Sequence, residues 1–264
     1  MPLLCVSSPK GGVGKTTLAA NVAWELTRRG DRVIVIDLDP QNSLGLHFGM
    51  DLRDVAGFAA NLRAHDNPRA AWRAAVRTGP AGVPYLPYGQ TGVDGANAVS
   101  LAVAANPDLL VGSVRDMLAN PGLIVVADMP PGPSPVLSAL LPYADLLAVV
   151  LLVDAASLAQ IPAIESGRAY GSVPQGRLGF ILNQLDIRTR LGRASGDSAA
   201  RHLGARLLGV VYRDENVPEA IASQKMVADY APSSKAAKDI RALATTIARR
   251  IAPAEAPVLQ ESRL

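Results

Sequence analysis

Residues 8–17 read Ser8-Pro9-Lys10-Gly11-Gly12-Val13-Gly14-Lys15-Thr16-Thr17, and this stretch decides the fold. Glycines let a backbone turn so that successive N–H groups aim at one point, and a helix beginning there adds the partial positive charge of its N-terminus. The common phosphate-loop pattern G-x-x-x-x-G-K-[ST] is met at its end by Gly14-Lys15-Thr16, while its first glycine falls at Pro9. Gly11, Gly12, Val13 and Gly14 are therefore candidates for a phosphate cradle. Lys15 is placed to reach the β- and γ-phosphates of ATP or the terminal phosphate of ADP. The Thr16 hydroxyl is placed to ligate Mg2+, and Thr17 to face the α-phosphate. One nucleotide needs only one lysine, so spacing leaves Lys10 unassigned; taken alone it reads as a solvated lysine at the loop entrance.

The flanks of the loop supply the context that the motif requires. Leu3–Ser7 (LLCVS) is a short apolar run. After the loop, Leu18, Val22 and Leu26 recur every fourth residue until Arg28, Arg29 and Gly30 end a helix. Further apolar runs follow at Val33–Asp37, Leu123–Asp128, Leu146–Val153, Gly179–Asn183 and Leu208–Tyr212. Unbroken rather than alternating apolar runs suit strands covered on both faces. The expected fold is α/β: a doubly wound, mainly parallel sheet with helices on both faces, of the P-loop NTPase type. Residues 51–122, punctuated by Pro and Gly in PAGVPYLPYGQ and GVDGANAV, read as one inserted strand and surface loops. Ser233–Ile251 reads as a closing helix. Residues 1–252 are expected to form one domain, and 253–264 a flexible tail.

With 26 Lys and Arg against 23 Asp and Glu, the net charge of +3 permits contact with nucleic acid or acidic lipid without arguing for either. The single cysteine, Cys5, excludes a disulfide framework and a thiolate metal cluster. No secretory signal fits before a loop that begins by residue 9. The longest apolar run, Leu146–Val153, falls far short of a membrane-crossing helix. The expectation is a cytoplasmic protein.

Ligands of open α/β sheets gather at the C-terminal ends of the strands. Two runs there end in carboxylates: Asp37-Leu38-Asp39-Pro40-Gln41 and Asp128-Met129-Pro130-Pro131-Gly132. Either aspartate alone has an ordinary reading as a turn or cap residue. Beside a phosphate loop, they become candidates for ordering water and metal. Asn183, at the end of the run Gly179–Asn183, is open to two readings: a turn residue, or an amide that pairs with a base edge.

With its leading lysine, the loop resembles the deviant Walker A box of the ParA/MinD group of ATPases. That resemblance implies a homodimer with ATP sandwiched between subunits, and Lys10 crossing to the phosphates held by the other copy. DLDPQ is similar to the group's first switch, which implies that Asp39 orients the attacking water and stands near Mg2+. DMPPG is similar to the group's Walker B and second switch, placing Asp128 at Mg2+ and the Gly132 N–H on the γ-phosphate. The same resemblance puts Asn183, Arg213 and Asp214 near adenine.

Missing residues set several relatives aside. Cys5 alone cannot bridge an iron–sulfur cluster. No tyrosine cluster follows Tyr230, and the ending PAEAPVLQESRL carries no amphipathic basic face for direct membrane anchoring. Arg188, Arg190, Arg193 and Arg201 are candidates for a DNA-binding patch as in partition ATPases, or for a merely solvated face. Beyond the loop, LGLHFGMDLRDVAGFAANL, YLPYGQ and VVYRDENVPEAIASQKMVADYAPSSKAAKDI resemble the BcsQ subgroup, the MinD-like ATPases of cellulose-secretion systems. This implies partners among cellulose synthase components, including a BcsR-type small subunit. It also implies recruitment to the inner membrane through those partners. Retention of Lys10, Lys15, Thr16, Asp39 and Asp128 implies ATP hydrolysis.

Overall fold

The apolar runs become the strands of one sheet, in a computed structural model that describes residues 1–64 and 67–252. In chain order the first half comprises β1 (Leu3–Ser7), α1 (Lys15–Arg28), β2 (Arg32–Asp37), α2 (Phe58–Ala64), α3 (Pro68–Ala75), β3 (Arg77–Thr78), β4 (Pro84–Leu86), α4 (Gly92–Ala105) and α5 (Asp108–Leu118). The second comprises β5 (Leu123–Asp128), α6 (Pro135–Leu140), β6 (Leu146–Leu152), α7 (Ala155–Leu158), α8 (Ile161–Glu165), β7 (Leu178–Leu185), α9 (Arg190–Leu203), β8 (Leu207–Tyr212), α10 (Asn216–Ala222), α11 (Val227–Tyr230) and α12 (Lys235–Ile251). The strands lie in the order β3-β4-β2-β5-β1-β6-β7-β8, parallel throughout except for the β3–β4 pair.

The sheet separates two apolar layers, which explains why its strands are apolar on both faces. One layer packs β1, β2 and β5 to β7 against α2 to α6, α8 and α9, around Phe58, Val103, Leu110, Leu137 and Phe180. The other packs the opposite face against α1 and α10 to α12, around Leu18, Val22, Leu26, Ile240 and Ile247. The helix α1 is enclosed by sheet and α12, and its three sequence-predicted core residues are all buried. Rigid packing on both sides fixes where the phosphate loop ends.

Residues 51–122 differ from expectation. The expected strand is β4, but four helices surround it, including the fourteen-residue α4 over the stretch read as loop. Gly92 and Gly95 look like breakers, yet Gly92, with φ of 66°, sits at the helix start. Gly95 is required because a Cβ there meets the Thr91 side chain at 2.7 Å. From Ala96 onward the Ala- and Leu-containing run carries the helix. The closing helix appears as α12, and the tail 253–264 lies outside the described residues.

Candidate functional site

The connection leaving β1 sits where the strand order reverses: β5, β2 and β4 lie on one side of β1, and β6 to β8 on the other. Here the loops diverge and leave a crevice at the strand ends. A cavity of about 600 Å³ occupies it, lined by the loop glycines Gly11, Gly12 and Gly14 and by Lys15, Thr16 and Thr17. Asp39, Gln41, Ser43, Asn183 and the stretch Tyr212–Glu215 add polar wall, and Val211, Val217, Ile221 and Ile240 add an apolar side.

Gly12 and Gly14 take φ of 74° and 90°, a backbone that side chains disfavour. Gly14 is also crowded: a Cβ there would stand 2.5 Å from Asn183 Nδ2. Gly14 offers no side chain to cap α1, and the first turn of that helix carries no acidic residue. The helix thus presents uncapped N–H groups and its positive end to the cavity. Lys15, 5% exposed, turns inward with its Nζ 3.6 Å from Asp39 Oδ2.

The register sets the carboxylates. Asp37 and Asp128 are neighbours across β2 and β5, both fully buried. Asp37 is spent on structure, its oxygens accepting the N–H groups of Asp39 and Leu44 at 3.0 Å. Burial first, and then the Asp128 carboxylate, holds Asp37 well above the ordinary range. Burial likewise raises Asp128 to about 7, against the neighbouring Thr16 hydroxyl and Lys15 ammonium. Neither Asp128 oxygen has a fully formed hydrogen bond. A buried carboxylate in that state suits a cation. Among the described residues no group of three or more His, Cys, Asp or Glu is poised to hold a metal by itself. Mg2+ is commonly held by one or two carboxylates, with phosphate oxygens and water completing its shell. Thr16, Asp39 and Asp128 fit such an ion.

Other expected residues lie nearby with unexpected partners. Lys10 does not line the cavity; its Nζ reaches both oxygens of Asp154 at 2.9 and 3.2 Å, an ion pair about 40% exposed. Asp154 also caps α7 by accepting the Ser157 N–H at 2.7 Å. Asp154 was not expected from the sequence, although a strand end followed by Asp-Ala-Ala-Ser carries a cap signal. The Gly132 N–H donates to the Ser8 carbonyl at 2.7 Å instead of facing the cavity. The Asn183 amide donates to the Val13 carbonyl at 2.7 Å, tying β7 to the phosphate loop. Asp214 accepts the N–H groups of Asn216 and Ala236, so its carboxylate organises the α10 and α12 starts. Arg213 is exposed and paired with Glu215. Of the basic stretch, Arg188 is bound to Asp186, while Arg190, Arg193 and Arg201 are exposed along α9.

The family described as cellulose biosynthesis protein BcsQ matches residues 1–247. The chain belongs to that family. It is 28% identical to the cellulose biosynthesis protein BcsQ of Salmonella typhimurium over 92% of this chain and 93% of that one. It is 29% identical to the chromosome-partitioning ATPase Soj of Thermus thermophilus over 94% and 96%. Among solved structures, MinD of Pyrococcus horikoshii complexed with Mg-ADP superposes with a TM-score of 0.72 at 20% identity, covering 93% of this chain and 95% of that one. A ParA family ATPase of Chlorobium tepidum gives 0.71 at 19%, covering 92% and 98%. The fold is that of the MinD and ParA ATPases. Among the described residues no helix is long and apolar enough to cross a membrane.

Proposed function

We propose that this BcsQ-family protein is an ATP-binding and hydrolysing dimerisation switch that regulates or localises the bacterial cellulose synthase machinery. The observation that carries this reading is the division between the two lysines of one loop. Lys15 is buried and turned to the cavity, whereas Lys10 points away from it and rests on Asp154. A cation excluded from its own cavity, yet rooted at its rim, has a use if a second copy faces it across bound ATP.

In this reading the uncapped start of α1 and Lys15 bind the phosphates. Thr16, Asp39 and Asp128 would hold Mg2+, which when bound would supply charge neutralisation to the phosphates. Asp39 orients the water whose oxygen bonds to the γ-phosphorus as the bond to the β-phosphate oxygen breaks. Lys10, released from Asp154, neutralises charge on the partner's phosphates. Turnover is slow, and the output is the open or closed state of the homodimer, read in the cytoplasm by a BcsR-type small subunit and other synthase components. Those partners recruit the protein to the inner membrane.

The test is light scattering and phosphate release with ATP and Mg2+. Wild type is expected to dimerise and hydrolyse. Lys10→Ala is expected to bind ATP as a monomer and lose dimerisation and hydrolysis together. A Lys10→Ala variant that dimerises and turns over normally would sink the reading. The likeness to Soj and the exposed arginines of α9 support a second reading, a DNA-partition ATPase. Duplex binding that falls steeply with salt would favour it.

A further inference from the structure

The first switch is held in place by a contact outside the cavity. After Asp39 the chain makes a tight turn: the Asn42 N–H donates to the Asp39 carbonyl at 2.9 Å, and the Gln41 N–H to Asp39 Oδ1 at 3.0 Å. Asp39, Gln41 and Ser43 line the cavity, while Asn42, between the last two, does not. Asn42 closes the turn in the left-handed region, with φ of 50°, a conformation that Gly, Asn and Asp adopt most readily. Its Oδ1 accepts the N–H of Gly89 at 3.0 Å, across 47 residues of chain.

Gly89 belongs to a rigid platform. The Phe58 and Ala59 N–H groups donate to the carbonyls of Pro87 and Tyr88 at 2.8 and 3.0 Å, and the Gln90 N–H donates to the Val55 carbonyl at 2.9 Å. Gly57 and Gly89 are both buried there, backbone against backbone. A Cβ on Gly57 would stand 2.3 Å from the Gly89 nitrogen, and one on Gly89 would stand 2.8 Å from Gly57. This close approach requires glycine at both positions, and the Gly89 N–H points from it toward Asn42. The sheet supports the arrangement from below, because β4 leads into this platform and pairs with β2, which leads into the switch.

We propose that Asn42 is a positioning residue for Asp39: through the Gly57–Gly89 platform it fixes the turn that presents Asp39, Gln41 and Ser43 to the nucleotide. The inference rests on the reading that Asp39 orients the attacking water. Asn42 touches neither nucleotide nor water; it acts by holding the turn, so its loss lowers turnover and leaves ATP affinity in place.

The experiment compares ATP hydrolysis by Asn42→Gly, Asn42→Asp, Gly57→Ala and Asp39→Ala in the full chain, with thermal melting for each. Glycine adopts the left-handed backbone without strain and removes the side chain with its acceptor, and the comparison with Asn42→Asp isolates the acceptor. A lost hydrogen bond of ordinary strength predicts that kcat of Asn42→Gly falls about three- to tenfold, with KM for ATP changing less than about twofold. Asn42→Asp retains an oxygen for the Gly89 N–H and tolerates the same backbone, so it is expected to restore kcat to within about twofold of wild type. Gly57→Ala, remote from the cavity, is expected to lower kcat in the same direction as Asn42→Gly. Should Gly57→Ala fail to fold, the two Asn42 variants decide alone. Wild-type kcat in Asn42→Gly, with hydrolysis abolished in Asp39→Ala, overturns the inference and spares the function it rests on. Equal losses in the glycine and aspartate variants also overturn it, because the bond to Gly89 is then not what matters. Unchanged hydrolysis in Asp39→Ala overturns the catalytic reading and this inference with it.

Discussion

The two ends of the cavity are built differently. At the phosphate end, Lys15 and Asp39 line the cavity and are buried, at the start of α1 and just after β2, while Asp128, at the end of β5, is fully buried beside Thr16 and Lys15 and does not itself line the cavity. At the other end, Gln184 is exposed near the end of β7, Arg213 and Glu215 are exposed on the loop after β8, and Asp214 is spent on helix caps. One end has fixed charges in a dry setting, where electrostatics are strong; the other joins solvent-screened charges to the apolar side chains of Val211, Val217, Ile221 and Ile240. Recognition of the polyphosphate should therefore dominate affinity, with apolar contact at the far end adding the smaller share.

The largest effect tests that directly. Lys15→Ala is expected to weaken ATP binding by about a hundredfold or more, since it removes a buried charge-assisted contact to phosphate. Isothermal titration checks it, and an affinity within a fewfold of wild type breaks the comparison. Next comes Asp128→Asn, which should abolish hydrolysis and stabilise the nucleotide-free protein at the same time. A carboxyl raised from 3.8 to about 7 binds its proton more tightly folded than unfolded, so stability falls as pH rises between those values. The penalty, at most about 4 kcal/mol, is complete above pH 7 and absent below pH 4. Melting curves of Asp128→Asn against wild type should separate at pH 8 and converge at pH 4. The smallest effect sharpens the boundary between the two ends. Asn183 lies toward the base end, but its amide holds the Val13 carbonyl of the phosphate loop. Asn183→Ala is expected to weaken ATP and inorganic tripolyphosphate alike, about tenfold, by loosening the loop. Loss confined to ATP would instead assign Asn183 to the base.

The same contrast explains what the sequence made legible. The phosphate end is encoded in ten consecutive residues whose types are forced by their task, and the carboxylates close apolar runs that announce themselves as buried strands. The partners that hold these groups were not legible, because they join distant segments: Lys10 with Asp154, Asn183 with Val13, Asn42 with Gly89. Nothing in local spacing encodes which loops meet across a doubly wound sheet. The helix α4 was misread for a local reason: Gly92 and Gly95 weigh as breakers until their neighbours are known.

The uncapped start of α1 has a thermodynamic consequence. A serine, threonine or aspartate closes the first turn of α6, α7, α9 and α12; α1, like α4, α5, α8, α10 and α11, has no such cap, but it alone of these begins at the phosphate loop. Phosphates bound there would supply the missing cap to a helix that is already formed and packed. Each increment of ATP above its dissociation constant adds to the stability of the whole domain by mass action. The chain without nucleotide is therefore expected to melt at a lower temperature than the same chain saturated with ATP, which thermal melting checks.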